Sequence, residues 1–98
     1  MNILADDITI SNASASKPYF KLMNTSNDAS SPQIEFRNDR DGNGLEDDDT
    51  LGTITWSGDD AAGGIETYVS MLGSVSEATH GDECGKFHID LANNGNMA

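Results

Sequence analysis

An acidic loop at residues 39–50 carries the most specific chemical pattern in the sequence. Its first six residues, DRDGNG from Asp39 to Gly44, match the start of a calcium-binding loop. In such loops oxygen ligands occupy alternate positions and a glycine turns the chain around the cation. Asp47 stands at the ninth position of the same pattern. The spacing therefore predicts a calcium site with four ligands, Asp39, Asp41, Asn43 and Asp47.

The second half of this loop departs from the pattern. Thr50 stands where a bidentate glutamate is expected, and Glu46 replaces an aliphatic anchor. The segments on either side alternate like strands, so a conventional EF-hand is excluded. Two interpretations stay open: a calcium loop of another kind, and a solvated acidic hairpin loop. The sequence requires no cofactor, and calcium is a possible one.

Two histidines and the single cysteine invite a zinc interpretation. The intervals between His80, Cys84 and His88 are irregular and no second cysteine is present, so they fit no closed zinc site. His88 could share a metal with its own copies if the chain is an oligomer with a symmetry axis at this strand; a hydrogen-bonded histidine is the alternative. Asp82 and Glu83 disfavour the Cys84 thiolate, which argues against a nucleophile.

Paired carboxylates could cleave polysaccharides, but seventeen acidic residues make any one pair uninformative. No apolar surroundings are indicated for Glu46, Glu66 or Glu77, and a general acid needs them to raise its pKa. The chain is therefore predicted not to be an enzyme. Trp56, with Tyr19 and Tyr68, could stack on sugars. Because Trp56 is in phase with Ile54, we interpret it as a core residue.

The elements that must position these residues are β-strands. Six segments alternate with period two and are separated by Gly, Asp, Asn and Ser, which predicts an all-β fold. The predicted strands are residues 6–10, 18–24, 33–38, 51–57, 67–72 and 85–93. They divide one module into a leading strand and linker (1–17), a strand pair (18–38), the acidic loop (39–50) and a strand unit (51–95). The final NNGNMA suggests no closing strand, and the abrupt ends suggest a fragment of a longer chain.

The charge and the hydrophobic content of the chain argue against several classes of partner. Seventeen acids against five bases give a formal net charge of −12 in 98 residues, which argues against nucleic acid or an anionic membrane. No apolar run could span a bilayer, and MNILADDITIS places acids where a secretory signal is apolar. With 36% hydrophobic residues, a self-sufficient core would be thin. The strand around Tyr68 carries apolar groups on both faces, which favours an oligomer.

The order of these signals resembles bacteriophage tail-fibre and tailspike proteins. Three motifs carry the resemblance: L-G-x-I-x-(aromatic)-x-G-x-D, a tyrosine-containing strand ending near glycine, and G-x-(aromatic)-x-(aliphatic). The matching positions are Leu51, Gly52, Ile54, Trp56, Gly58 and Asp59, then Tyr68 and Gly73, then Gly85, Phe87 and Ile89. The resemblance spans residues 18–95 and corresponds to a shaft segment of the kind found upstream of a C-terminal intramolecular chaperone.

The resemblance implies an intertwined homotrimer, triple β-helix or β-prism-like, within a virion and extracellular after release. Alternation alone does not separate a triple β-helix from a trimer of small sandwiches, since both show the same pattern. Its partner would be itself, with a host-surface glycan or protein receptor as a further partner. A set of apolar side chains would hold the three chains in register: Ile8, Phe20, Ile34, Phe36, Ile54, Trp56, Phe87, Ile89 and Leu91. A carbohydrate- or receptor-binding module is the alternative function, and a polysaccharide-degrading segment is a third.

Overall fold

The computed structural model describes residues 2–98, which fall into two units, one ending at Ile34 and the other comprising Glu35–Ala98. The fold is all-β, as the alternation predicts. The second unit contains a four-stranded antiparallel sheet, and its helical content is one short 3-10 turn, Arg40–Gly42. Among the described residues, no helix has the length and apolar character needed to cross a membrane.

The sheet is built from consecutive strands in the order β1-β2-β3-β4. Their bounds are β1 (Thr50–Asp59), β2 (Ile65–Glu77), β3 (Cys84–Asn93) and β4 (Asn96–Met97). The first three confirm the strands predicted at 51–57, 67–72 and 85–93. Consecutive antiparallel pairing follows from the short connections, since each glycine- and acid-rich turn returns the chain beside the strand it has just left.

The turn between β1 and β2 is held by one carboxylate. Asp60 Oδ1 accepts hydrogen bonds from the backbone N–H groups of Ala62 and Gly64, both at 2.9 Å. Gly63 has φ +88°, in the left-handed region that glycine adopts without a steric penalty. The GDDAAGG segment therefore reverses the chain as its composition predicts.

The last strand was not predicted. Asn94 and Gly95 have φ of +51° and +84°, and a two-residue hairpin turn with positive φ at both positions favours Asn-Gly. The chain returns so that Ala92 pairs with Met97 and Asn93 with Asn96. The expectation that NNGNMA lacks a closing strand is therefore wrong. The Asn-Gly dipeptide was the signal that could have identified it.

The three strands predicted before the acidic loop do not form in the single chain. Residues 6–10, 18–24 and 33–38 lie outside every strand of the described structure. Alternation predicts which side chains share a face, but a strand also needs a neighbour to accept its backbone hydrogen bonds. In the first unit the polar loops are held locally instead, as where Asn24 Oδ1 accepts from the Ser26 N–H.

The sheet is a single layer with very little interior. Within residues 2–98 only Ser74 and Val75 are buried. Val75 exchanges two backbone hydrogen bonds of 2.8 Å with Asp48 and Asp49, which ties the acidic loop to the end of β2. Trp56 remains 47% exposed, so its interpretation as core does not hold within one chain. The reason is that Glu35–Ala98 forms one sheet without a second layer of its own on that side.

Candidate functional site

One face of the sheet is apolar along three strands. The register places Trp56 beside Val69 and Val69 beside Leu91, in one row across β1, β2 and β3. Directly opposite cross-strand residues share a face. We call the resulting surface the apolar face. It comprises Ile54, Trp56, Val69, Met71, Phe87, Ile89 and Leu91, with Phe36 from the preceding segment.

The apolar face is open to solvent in the single chain. Its most exposed large side chains are between 41% and 60% accessible: Phe36, Ile54, Trp56, Phe87, Ile89 and Leu91. Since a large aromatic side chain offers about 150–250 Å², these six leave on the order of 600 Å² exposed. The largest apolar patch of a typical monomer measures about 300–600 Å² and is often functional, so the apolar face lies at the upper end of that range and is a candidate interaction surface.

A depression interrupts the apolar face where two glycines pair. Gly52 lies opposite Gly73, which lies opposite Phe87, so two neighbouring strands lack side chains at this point. The resulting cavity of about 220 Å³ is walled by Phe36, Ile54, Met71 and Phe87, among others. We call it the socket. Sites for drug-sized ligands usually measure about 300–1,000 Å³, so the socket suits a single large side chain better.

Phe36 forms one wall of the socket by packing on Gly52. A Cβ added to Gly52 would lie 2.5 Å from Phe36 Cβ and 2.7 Å from Phe36 Cγ, closer than atoms can approach. At Gly73, by contrast, no atom lies within 4 Å of the position that a Cβ would take. The socket is therefore occupied on the Gly52 side and empty over Gly73.

The opposite face is mostly polar. Its rows include Thr55 beside Ser70 and Ser70 beside Asp90. His88 also lies there, opposite Leu72 and half-buried, on the side that the sequence predicts. The contrast between the two faces is what the period-two pattern of β1 and β3 predicts.

The acidic loop is closed by contacts within the protein. Arg40 Nη1 lies 3.1 Å from Glu46 Oε1 and 3.3 Å from Asp49 Oδ2. Asp47 Oδ1 accepts a hydrogen bond of 2.9 Å from the Ala78 N–H, beyond the end of β2. Arg40 thus closes the loop, and the Asp47 carboxylate joins it to the residue after β2. The calcium pattern predicts neither of these contacts.

The predicted calcium ligands have separate roles in this structure. Asp39 Oδ1 accepts from the Asp41 N–H at 2.9 Å, capping the 3-10 turn, and Asn43 Nδ2 donates to the Arg40 carbonyl at 3.3 Å. Asp47 faces Ala78, as above. No group of three His, Cys, Asp or Glu side chains spaced to hold a metal occurs among residues 2–98. Calcium binding by these four residues stays a prediction.

Of the candidate zinc residues, His80 lies in the loop before β3, Cys84 at the start of that strand and His88 in its middle. His80 Nδ1 is 3.5 Å from Glu83 Oε1, and Cys84 Sγ is 3.5 Å from the Asp82 carbonyl oxygen, with both side chains exposed. The Gly81 N–H, above all, holds the pKa of Glu83 below its usual range. These contacts are local hydrogen bonds of a surface loop.

The acidic side chains whose pKa is displaced are all shifted downwards. The Glu77 carboxylate accepts from the Thr79 hydroxyl and N–H, and these bonds hold the pKa of Glu77 below its usual range. A general acid that works near neutral pH needs a raised pKa. Hydrogen bonds to the ionised form do the opposite, because they stabilise the charged carboxylate.

No protein-family model matches this chain, and neither the curated proteins nor the solved structures contain a match to it.

Proposed function

We propose that this chain is a structural, non-catalytic segment of a bacteriophage tail fibre or tailspike that assembles as a homotrimer and supports host attachment from the virion. The sequence resemblance suggests the class of protein. Its motif residues lie on three successive strands, with Trp56 in β1, Tyr68 in β2 and Phe87 in β3. The residues that carry the resemblance therefore belong to the strands of the sheet.

The exposed apolar face is the observation that carries the proposal. The single chain buries only Ser74 and Val75 within its described residues, whereas a stable monomer of this length needs a substantial core. The apolar face leaves on the order of 600 Å² uncovered, close to the roughly 800 Å² that each partner contributes to a standard interface. The face argues for a partner, and the number three comes from the resemblance.

Three copies would also protect the free edge of the sheet. Among residues 2–98, β1 pairs only with β2, so the outer edge of this ten-residue strand presents unpaired backbone groups. A long unpaired edge is a template for pairing with another chain. An intertwined assembly would satisfy those groups with strands from a neighbouring copy.

Fluorescence of the only tryptophan tests self-assembly directly. Trp56 is the single tryptophan of the chain and lies on the apolar face. We expect its emission to shift to longer wavelength on dilution, as the assembly dissociates and the indole meets water. Emission that stays at the wavelength of an exposed indole at all concentrations would contradict burial of this face between copies.

Labelling of virions tests the assignment to a fibre. Antibodies raised against this chain should decorate the tail fibres or spikes of the virus whose genome encodes it, in negative-stain electron micrographs. Label on the capsid, or on no virion structure although the protein is synthesised during infection, would exclude the proposal. A preimmune serum is the control.

A receptor-binding module is the second candidate, favoured by the exposure of aromatic rings. Trp56 and Tyr68 are 47% and 44% exposed on adjacent strands, and exposed aromatic rings present flat apolar surfaces to ligands. Host-surface oligosaccharides that quench Trp56 fluorescence while molar mass stays constant would favour this candidate. Quenching should then vanish in Tyr68→Ser.

A further inference from the structure

Residues 17–23 present exposed apolar side chains on a segment without regular secondary structure. Tyr19, Phe20 and Met23 are 69%, 72% and 70% exposed, and the segment forms no strand. Lys17 and Lys21 both lie over the Tyr19 ring, with their Nζ atoms 5.7 and 5.6 Å from its centre. These cation–π contacts engage Tyr19 and leave Phe20 as the free aromatic ring of the segment.

This segment is also positively charged, in contrast to the sheet unit. No acid lies between Asp7 and Asp28, and two lysines do. Glu35–Ala98 holds fourteen of the seventeen acids but only three of the five bases, a formal charge of −11. Opposite charges favour association and select the orientation in which they meet. The segment therefore complements the sheet unit in charge as well as in apolar character.

The socket lacks a side chain that would fill it. Nothing lies within 4 Å of the place where a Cβ of Gly73 would be, and the surrounding walls are apolar. Its volume of about 220 Å³ suits one large side chain. A void in a packed interface loses dispersion contacts, so an assembly that covers the apolar face must place an apolar group here.

We infer that Phe20 of a second copy of this chain enters the socket over Gly73, with residues 17–23 of that copy lying along the apolar face. The inference rests on the proposed self-assembly and specifies its contact. The single chain leaves both the Phe20 ring and the socket exposed, and their sizes correspond. Lys17 and Lys21 of the entering segment then meet the acidic sheet unit.

Filling the socket from within tests the inference. Gly73 lies outside the left-handed φ region and has open space above it, so Gly73→Leu is compatible with the sheet but occludes the socket. Phe20→Ser removes the entering ring. We expect each variant to raise the concentration at which the assembly half-dissociates by at least about tenfold, measured by sedimentation equilibrium. For a trimer, whose dissociation constant varies with the square of that concentration, this corresponds to about 2.8 kcal/mol per trimer.

Two control variants make the same kinds of substitution at positions outside the proposed contact. Ser70→Leu adds a leucine to β2, as Gly73→Leu does, but on the opposite face of the sheet. Met23→Ser removes an apolar side chain from residues 17–23, as Phe20→Ser does, but at a position of the opposite parity in the alternating pattern. Both should assemble within about threefold of the unchanged protein. Equal weakening by Ser70→Leu would show that added bulk in general disrupts assembly, and would overturn the socket assignment.

The double variant tests whether the two residues form one contact. If Phe20 occupies the socket, Gly73→Leu with Phe20→Ser should weaken assembly no more than the stronger single variant, because coupled residues are not additive. Additive losses would overturn the inference.

The remaining outcomes separate this inference from the proposed function. A trimer that persists in both single variants overturns the socket contact and leaves the trimeric fibre segment standing. A protein that is monomeric at every concentration overturns both.

Discussion

Phe36 packs so closely on Gly52 that any residue with a Cβ at position 52 would clash with it. The added atom would lie 2.5 Å from Phe36 Cβ, which belongs to the stem of the side chain and moves only with its backbone. This contact fixes one aromatic wall of the socket and joins the segment before the acidic loop to β1. Asn38 Nδ2 donates to the Thr50 carbonyl at 2.9 Å and holds the same junction.

Gly52→Ala should therefore displace Phe36 and destabilise the protein. Overpacking of this kind typically costs about 1–3 kcal/mol, and urea denaturation at fixed protein concentration measures it. Gly85→Ala is the matched control, because Gly85 lies in β3 with nothing within 4 Å and without a positive φ. The control should be neutral or slightly stabilising. Equal midpoints for the two variants would show that Phe36 moves away without cost.

Asp47 should stabilise the end of β2 through the Ala78 N–H. Asp47→Ala leaves that amide without its acceptor, and a hydrogen bond of this kind contributes about 0.5–1.5 kcal/mol. We expect hydrogen exchange at Ala78 to accelerate a few-fold. Asp47→Asn loses the same charge but keeps an acceptor oxygen, so exchange should return towards the original rate. Acceleration in both variants would assign the effect to charge instead.

Asp60 should make stability depend on pH in the acid range. The N–H of Gly64, and then that of Ala62, hold the pKa of Asp60 below its usual range. Its folded pKa is therefore lower than the unfolded value of about 3.9. The stabilisation is present above the unfolded pKa and is lost as pH falls through the folded pKa. Asp60→Asn should consequently lose less stability than the unchanged protein on acidification below about pH 4.

Asp59→Asn is the control for this pH dependence, since it removes the same charge one residue away. Urea midpoints measured at neutral pH and at several acidic values give the comparison. If Asp59→Asn changes the acid dependence as much as Asp60→Asn does, loss of negative charge in this turn explains the effect and the hydrogen bonds of Asp60 do not. If the Asp60→Asn curve runs parallel to both, the turn hydrogen bonds do not differ between the protonated and ionised carboxyl, and the assignment fails.

The acidic loop should keep its form without calcium, because Arg40 and the hydrogen bonds of Asp39 and Asp47 already close it. We expect a calcium chelator to leave the thermal midpoint unchanged. Calcium that raises the midpoint in the unchanged protein, but not in Asp39→Asn with Asp41→Asn, would establish the calcium interpretation instead. Magnesium is the control for a general effect of divalent charge on this acidic chain.

The sequence predicts the sheet well where strands and turns are local. β1, β2 and β3 follow from alternation between turns, and Ile54, Met71 and Ile89 lie in one row as their spacing requires. The early segments 6–10, 18–24 and 33–38 alternate equally well and form no strand. Periodicity does not show whether a neighbouring strand is present to form backbone hydrogen bonds. A segment without such a neighbour therefore has the same alternating pattern as a paired strand.

The site depends on distances that no local pattern encodes. The pairing of Gly52 with Gly73 requires the register of two strands, including a shift between Thr50 and Gly52. In the calcium pattern Arg40 is only the second residue, with no role of its own. In the structure its guanidinium forms ion pairs with Glu46 and Asp49. Such contacts follow from the folded backbone, so the sequence could suggest an oligomer but not the surface that it uses.

Molar mass by multi-angle light scattering over a dilution series tests the central claim most directly. We expect a species of three times 10.4 kDa, or 31.2 kDa, that dissociates on dilution while the Trp56 emission shifts to longer wavelength. The same mass should persist with a calcium chelator. A species of 10.4 kDa at every concentration, with and without calcium, would contradict the trimer and leave the apolar face as a receptor-binding surface.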